Sequence, residues 1–560
     1  MKILCLHSDY IKVEPTKKAI KDAEEIEKKL LESKETLVVF SAVEKIDEEN
    51  PEDVIKNSVK EIEDVYDQVK AKEILIYPYV HLTKKPGSPA VAQEVINSIY
   101  EKLKKKHKTK KAPFGWYKSF EIKVKGHPLA ELSREILPEG KSKEKVDYKK
   151  LLREISKIKL MREKLKDNDH RILGQEMDLF SFNETAPGMV FWHDKGYVIF
   201  KELVKFWREE HEKAGYKEIS TPQILDKKLW QISGHWEKFK DNMFLTEYEG
   251  RELAIKPMNC PGGMLVYRNK PRSYKDLPLR MGELGIVHRQ ELSGVLGGLF
   301  RVIKLTQDDA HIFCTEEQLE SEIVRIMNLI DKFYKKFNLP YHVELSTRPE
   351  KRIGDEKTWD TSEEILEKVL KKMKMKYKIN KGDGAFYGPK IDFHVKDSLG
   401  RTWQCATIQL DFSLPERFDL KYTGKDNKEH RPVTIHRVIY GSVERFIGIL
   451  LEHTNGHLPT WLAPVQVKII SFTERNIDSS KKLFDELKKE GIRAEIDIET
   501  GPIQGRVRDA EMQKIPYIIV IGDKEEETKT LAVRQNGKIK FGVKKNEFIE
   551  SIKKEIEERK

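Results

Sequence analysis

At 560 residues, with 38% hydrophobic and 35% charged side chains and no apolar run of spanning length, the chain has room for three or four domains and excludes a membrane protein. Its 104 Lys and Arg against 93 Asp and Glu leave a net charge of +11, which admits nucleic acid as a partner without demanding it. Four cysteines over this length exclude a disulfide framework and suit a reducing cytoplasm.

In chain order, MKILCLHSDY alternates like a strand and lacks the look of a secretory signal. KILCLHS, TLVVFSAVEKI, EILIYPYVHL and SFEIKVKGH read as strands, with helices expected around residues 17–33 and 52–70. The run KLKKKHKTKK, residues 102–111, is either a solvated loop or a phosphate-contacting patch. Residues 138–170 are nearly all charge with leucine and isoleucine at helical spacing, a linker of one or two helices. A block richest in Gly, Trp and adjacent polar pairs follows. From residue 465 onward VKIISF, SSKKLFDELKKEG, RAEIDIE, a helix near 506–514 and YIIVIGD form a βαβ module. The resulting division is 1–136, a charged linker 137–184, a central domain 185–463 and a C-terminal domain 464–560.

Within the central block, LTQDDAHIFC, residues 305–314, carries the His-x-x-Cys spacing of a half metal site. Read as a strand, it sends Gln307, Asp309, His311 and Phe313 one way and Ala310, Ile312 and Cys314 the other, so His311 and Cys314 cannot share an ion. Arg289 and Glu291, two apart in RMGELGIVHRQELSG, form either a surface ion pair or a donor and an acceptor for one ligand. In GSVERFIGIL, Arg445 shares a helical face with Gly441, Ser442 and Gly448, while Val443, Phe446, Ile447, Leu450 and Leu451 face a core. Two glycines beside an arginine cost helix propensity, which fits either a ligand approaching closely or a half-buried ion pair.

Together these segments resemble class II aminoacyl-tRNA synthetases: Arg289 and Glu291 lie in a strand–loop–strand similar to motif 2, GSVERFIGIL resembles motif 3, and KEISTPQIL with Pro222 resembles the dimer-forming motif 1. More narrowly, MNCPGG, RMGELGIVHRQELSG, LTQDDAHIFC, GAFYGPKIDF, TWQCATIQLDF and IHRVIYGSVERF stand in the order and spacing of the threonyl-tRNA synthetase family, over roughly residues 170–560. One departure is Gly263, where that family commonly has histidine.

The resemblance implies an α/β multidomain chain, its centre a class II antiparallel sheet with flanking helices. It implies one zinc ion per subunit held by Cys260, His311 and His436, an L-threonine pocket of Met258, Gln307, Asp309, Tyr387 and Gln409, and ATP with Mg2+ on Glu291, Arg301, Gln404 and Thr407. Arg289 and Arg445 would be catalytic, tRNA(Thr) the partner, a cytoplasmic homodimer the assembly, and Cys5, Cys314 and Cys405 packing residues. The chemistry is coherent. Threonine can chelate an ion through amine and hydroxyl and valine cannot, whereas serine lacks only a methyl, worth roughly 1–3 kcal/mol, so hydrolytic editing is needed.

The place for editing is residues 1–136, where KAPFGWYKSFEIKVKGHPLAELSR and PYVHLTKKPGSPAVA resemble the archaeal editing domain, α/β and similar to D-aminoacyl-tRNA deacylases. That likeness implies His81, Tyr117, Lys118 and Glu131 as its site. The C-terminal module resembles a mixed-sheet α/β anticodon-binding domain, with Glu525 and Arg534 reading bases or pairing at the surface, and Arg506 and Arg508 adding backbone contacts. Two competing readings are a catalytically silent synthetase-like tRNA-binding protein and a subclass relative for another amino acid. The complete set of motif residues and the three metal ligands argue against both.

Overall fold

A computed structural model describes residues 1–136, 149, 151–152, 165–397 and 400–560; most of the charged helical linker expected over 138–170 lies outside the described residues. The chain forms two compact units, Met1–Leu151 and Leu152–Lys560.

In the first unit a long central strand β1 (Lys2–Lys18) pairs antiparallel with β2 (Leu31–Ala42). Its other edge is shared. Lys2–Leu6 pairs with β6 (Glu131–Glu135) and Ser8–Lys18 with β5 (Trp116–Val124). β3 (Glu73–Pro78) and β4 (Thr109–Lys111) extend the sheet in parallel beyond β2, connected by α1 (Pro51–Val69) and α2 (Pro89–Lys104). Both helices are amphipathic; Val54, Ile62 and Val65, with Val95, Ile96 and Ile99, cover Leu37, Val39, Ile74 and Ile76. The opposite sheet face carries a smaller apolar layer of Ile11, Val13, Val38, Phe40, Leu75 and Tyr77.

The helix expected at 17–33 is not there. β1 runs to Lys18, and the chain then spends its backbone hydrogen bonds on a neighbouring loop: Ala19 and Ile20 N–H donate to Gly115 O and Glu24 N–H to Phe114 O. Tertiary partners override a weak local periodicity. The basic run closes α2, turns through residues 105–108 and enters β4, so the expected loop is confined to its middle. Four of its lysines are matched within the unit, Lys106 by Glu63, Lys108 and Lys110 by Glu73, and Lys111 by Glu24.

The second unit holds an eight-stranded sheet in the order Tyr377–Asn380, Tyr341–Ser346, Lys390–Lys396, Thr402–Asp411, Val433–Val438, Lys304–Cys314, Leu279–His288 and Lys217–Glu218. It is antiparallel except at its two outermost pairs. Helices Asp194–Lys213, Leu319–Lys336 and Val443–Thr454 bury Leu203, Phe206, Ile326, Ile330, Phe446 and Ile447 against one face. Leu173, Met177, Leu179 and Phe180, expected in the linker, are buried in this same core. The C-terminal sheet runs Ala494–Asp497, Val467–Ser471, Tyr517–Ile521, Thr530–Gln535 and Lys538–Lys544, its first three strands parallel and its last two antiparallel. Among the described residues no helix is long and apolar enough to cross a membrane.

Candidate active sites

The strand face opposite the packed helices carries the chemistry. Along Lys304–Cys314 the alternation is as the sequence dictates: Ala310, Ile312 and Cys314 enter the helical core, and Phe313 packs with Cys260 on the other side. His311 lies directly opposite His436 across the strand pair, and Gln409 opposite His436 on the next strand. Cys260 opens the helix Cys260–Arg268. Ligand atoms of Cys260, His311 and His436 all lie within 4.8 Å of one another, and all three residues are buried. Both ring nitrogens of His311 are buried without a hydrogen-bond partner. The Nε2 of His436 is 2.8 Å from Asp411 Oδ2, an arrangement that orients a metal-ligating imidazole through its far nitrogen. Burial pulls the His311 pKa well below its usual value and pushes the Cys260 thiol well up. Two orphaned nitrogens, an oriented imidazole and a buried thiol fit a borderline-soft divalent ion such as zinc. A Cβ at Gly263 would stand 3.3 Å from His311 Nδ1, so a larger residue there must displace the ring by a few tenths of an ångström.

Beside this cluster opens a cavity of about 210 Å³ lined by Met258, Arg289, Gln307, Asp309, Tyr387, Thr407 and Gln409 together with Cys260 and His436. Asp309 accepts from Asn259 Nδ2 at 3.3 Å, and burial holds its pKa above the usual carboxylate value. Gln409 donates to Gly388 O at 3.3 Å. Arg289 is anchored by Pro257 O, which accepts from Nε at 3.2 Å. Asn259, Asp411 and His235 were not singled out in the sequence. Asn259 lies inside MNCPGG, and Asp411 sits two residues after Gln409 on one strand face, a period-2 signal that was there to be read. His235, packed edge-on against Phe386 and tilted against Tyr387, had no local signal.

The residues expected to hold ATP are engaged with protein partners. Glu291 pairs with Arg301, at 2.8 Å, and not with Arg289. Arg445 is held by carbonyls, Phe300 O at 2.9 Å and Gln404 O at 3.4 Å, in place of a carboxylate partner. The nearby Gly448 answers to packing: a Cβ would meet the Phe300 ring at 3.0 Å. Gln404 and Thr407 both donate to Asp392 Oδ1, at 2.6 and 2.9 Å. Glu291, Arg301, Gln404 and Arg445 do not line the cavity. Thr221, next to Pro222, is tied by its N–H and hydroxyl to Glu283 at 2.8 Å, and Glu283 is in turn paired with the buried Lys256 at 2.9 Å.

In the first unit His81, Tyr117 and Lys118 line a cavity of about 560 Å³ walled by Tyr77, Tyr79 and Phe120. Lys118 Nζ donates to Pro113 O at 2.8 Å and stands 4.9 Å from the Tyr77 ring, and burial lowers its pKa to about 8. Glu131 is not part of this cavity. It opposes Leu6 of β1 whereas Lys118 opposes Pro15, nine positions away and hence about 30 Å along the strand. In the C-terminal domain Glu525 accepts from Gly522 N–H and Arg534 pairs with Glu511 at 3.2 Å. Arg506 donates to Asp497 and to Ser471 O within the domain, while Arg508 is exposed.

Residues 1–136 match the archaea-specific editing domain of threonyl-tRNA synthetase, 244–454 the class II tRNA synthetase core domain (G, H, P, S and T), and 466–555 an anticodon binding domain. The solved RNA binding domain of threonyl-tRNA synthetase from Cryptosporidium parvum Iowa II is 38% identical, with a TM-score of 0.67 over 69% of this chain and 98% of that one. The chain belongs to the threonyl-tRNA synthetase family. A putative threonyl-tRNA synthetase, ThrRS-1, from Aeropyrum pernix is 29% identical with a TM-score of 0.62, over 70% of this chain and 96% of that one. The threonine–tRNA ligases of Carboxydothermus hydrogenoformans and Clostridium botulinum Loch Maree are 54% and 56% identical over 71% of this chain. The chain spans under two thirds of their lengths, 63% and 62%. The eight-stranded sheet is thus the class II core of a threonyl-tRNA synthetase family member, flanked by helices as that fold class requires.

Proposed function

We propose that this chain activates L-threonine with ATP and Mg2+, transfers the threonyl group to tRNA(Thr), and hydrolyses seryl-tRNA(Thr) in its first 136 residues. The observation that carries this reading is the convergence of Cys260, His311 and His436 on a cavity that also presents Asp309 and Arg289. A zinc ion held by those three residues, one per subunit, would supply a Lewis-acidic centre for the threonine amine together with its hydroxyl, the group that valine lacks. Asp309, kept in place by Asn259, receives the substrate ammonium, while Met258, Gln307, Tyr387 and Gln409 wall the side chain. The carboxylate attacks the α-phosphate in line, the bond to the β-phosphate breaks and pyrophosphate leaves, and Arg289 stabilises the charge that develops at the α-phosphate. Arg301 and Arg445 take the outer phosphates. Arg301 must leave Glu291 to do so, which releases that carboxylate to accept from the adenine amine; Gln404 and Thr407 edge the same nucleotide. No side chain acts as a covalent nucleophile, so positioning carries both steps. Glu525 and Arg534 are read as base contacts of the anticodon, formed by exchanging their present partners. A cytoplasmic homodimer built around Pro222 is the expected assembly, checked by mass in solution.

The test is ATP–pyrophosphate exchange with threonine, serine and valine alongside metal analysis. Threonine should exchange best, serine less well and valine not at all. Cys260→Ala should lose metal and exchange together. Valine exchange comparable to that of threonine would overturn the reading.

A further inference from the structure

Among the described residues a second grouping, Asp169, His170 and Glu452, brings three ligand-type side chains together. Its hydrogen bonding argues against an ion. The Leu299 N–H donates to His170 Nε2 at 2.9 Å, so that nitrogen carries no proton. The Nδ1 therefore holds it and donates to Glu452 Oε1 at 2.6 Å. Both nitrogens are committed, and burial brings the imidazole pKa down to about 3. Glu452 is further engaged by the His170 backbone N–H at 3.1 Å and by Arg401.

What the ring joins is informative. Leu299 leads directly into Phe300, whose carbonyl accepts from Arg445, and then into Arg301, which holds Glu291. Glu452 lies on the same helix as Arg445, two turns further on. The Phe300 ring is 4.3 Å from the His170 ring and 4.1 Å from Trp403, centroid to centroid. Gly298 turns the loop at φ +57°, and a Cβ there would lie 2.2 Å from His170 Nε2. One neutral, buried ring thus fastens the loop bearing Arg301 to the helix bearing Arg445.

We propose that His170 is a positioning residue for the ATP phosphates: by bridging the Leu299 amide and the Glu452 carboxylate it sets the separation of Arg301 and Arg445. This rests on reading those two arginines as phosphate ligands. A purely structural tie would hold the core without favouring one substrate, and the experiment separates the two roles through three variants of the full chain. His170→Gln places an amide oxygen about where Nε2 stands and can still accept from Leu299; His170→Asn reaches only Glu452; His170→Leu reaches neither. In threonine-dependent exchange, His170→Asn and His170→Leu should raise the ATP KM about tenfold or more, leave the threonine KM within about twofold, and His170→Gln should restore most of the loss. Calorimetric titration with ATP should give the same ranking. If His170→Leu fails to fold, the Gln and Asn pair decides. Rescue by Asn in place of Gln, equal rises in both KM values, or an unchanged ATP KM would each overturn the proposal. Absence of threonine exchange in the parent chain would instead count against the function proposed above.

Discussion

At the scale of single residues, the charges buried beneath the site have consequences for stability. Glu444 occupies the first turn of Val443–Thr454, is buried, and accepts from Thr306 N–H at 2.8 Å. Burial raises its pKa from 4.5 to about 7. A carboxyl whose folded pKa is raised favours the fold while protonated. Its contribution is full below the unfolded value near 4.5 and is lost as pH rises through 7. Asp308 behaves in the same direction, raised to about 6, while accepting from the Ile439, Tyr440 and Gly441 amides. Glu444→Gln keeps an oxygen for Thr306 and removes the titration. Its melting temperature should match that of the parent near pH 5 and exceed it near pH 8. A gap that stays constant across that range would show that Glu444 does not titrate there.

At the scale of an element, the strand Lys304–Cys314 separates function from packing by parity. Cys314 is fully buried among core residues and His311 faces Cys260 and His436. Cys314→Ala should therefore cost about 1 kcal/mol in urea unfolding through a small cavity, with bound metal retained. Loss of metal in that variant would mean that the strand faces are misassigned. Parity was legible in the sequence because it needs no knowledge beyond ten residues. The opposition of His311 and His436 was not, since a register between strands separated by 125 positions is set by tertiary packing, and only the family likeness supplied it. The failures have the same origin. Residues 17–33 have helical spacing but bond to the 114–115 loop, and Glu131 is near Lys118 in sequence yet paired to the far end of β1. The Glu291–Arg301 pair was likewise invisible, because a loop's return path is not written in its spacing.

At the scale of the whole molecule, the first unit has a core of its own and its cavity is built only from its own residues. Damage to its chemistry should leave threonine activation untouched. With the Lys118 pKa near 8, the neutral amine becomes the majority form above that pH and can take a proton from water or from a ribose hydroxyl. Deacylation of seryl-tRNA by the full chain should rise through about pH 8 and level off. Lys118→Met should remove that inflection, leave the slow hydroxide-driven background, and leave threonine exchange at the parent rate. A variant that clears seryl-tRNA with the parent profile would make Lys118 a structural residue.

The buried pair of Lys256 and Glu283, with Thr221 tied to the same carboxylate, also bears on descent. Losing either member alone strands a charge in the core at about 3–5 kcal/mol, a large share of ordinary folding stability. Lineages that drift at one of these positions should therefore be pruned unless the other changes with it. The two sites, 27 positions apart in the chain, would pass between generations as a single heritable character.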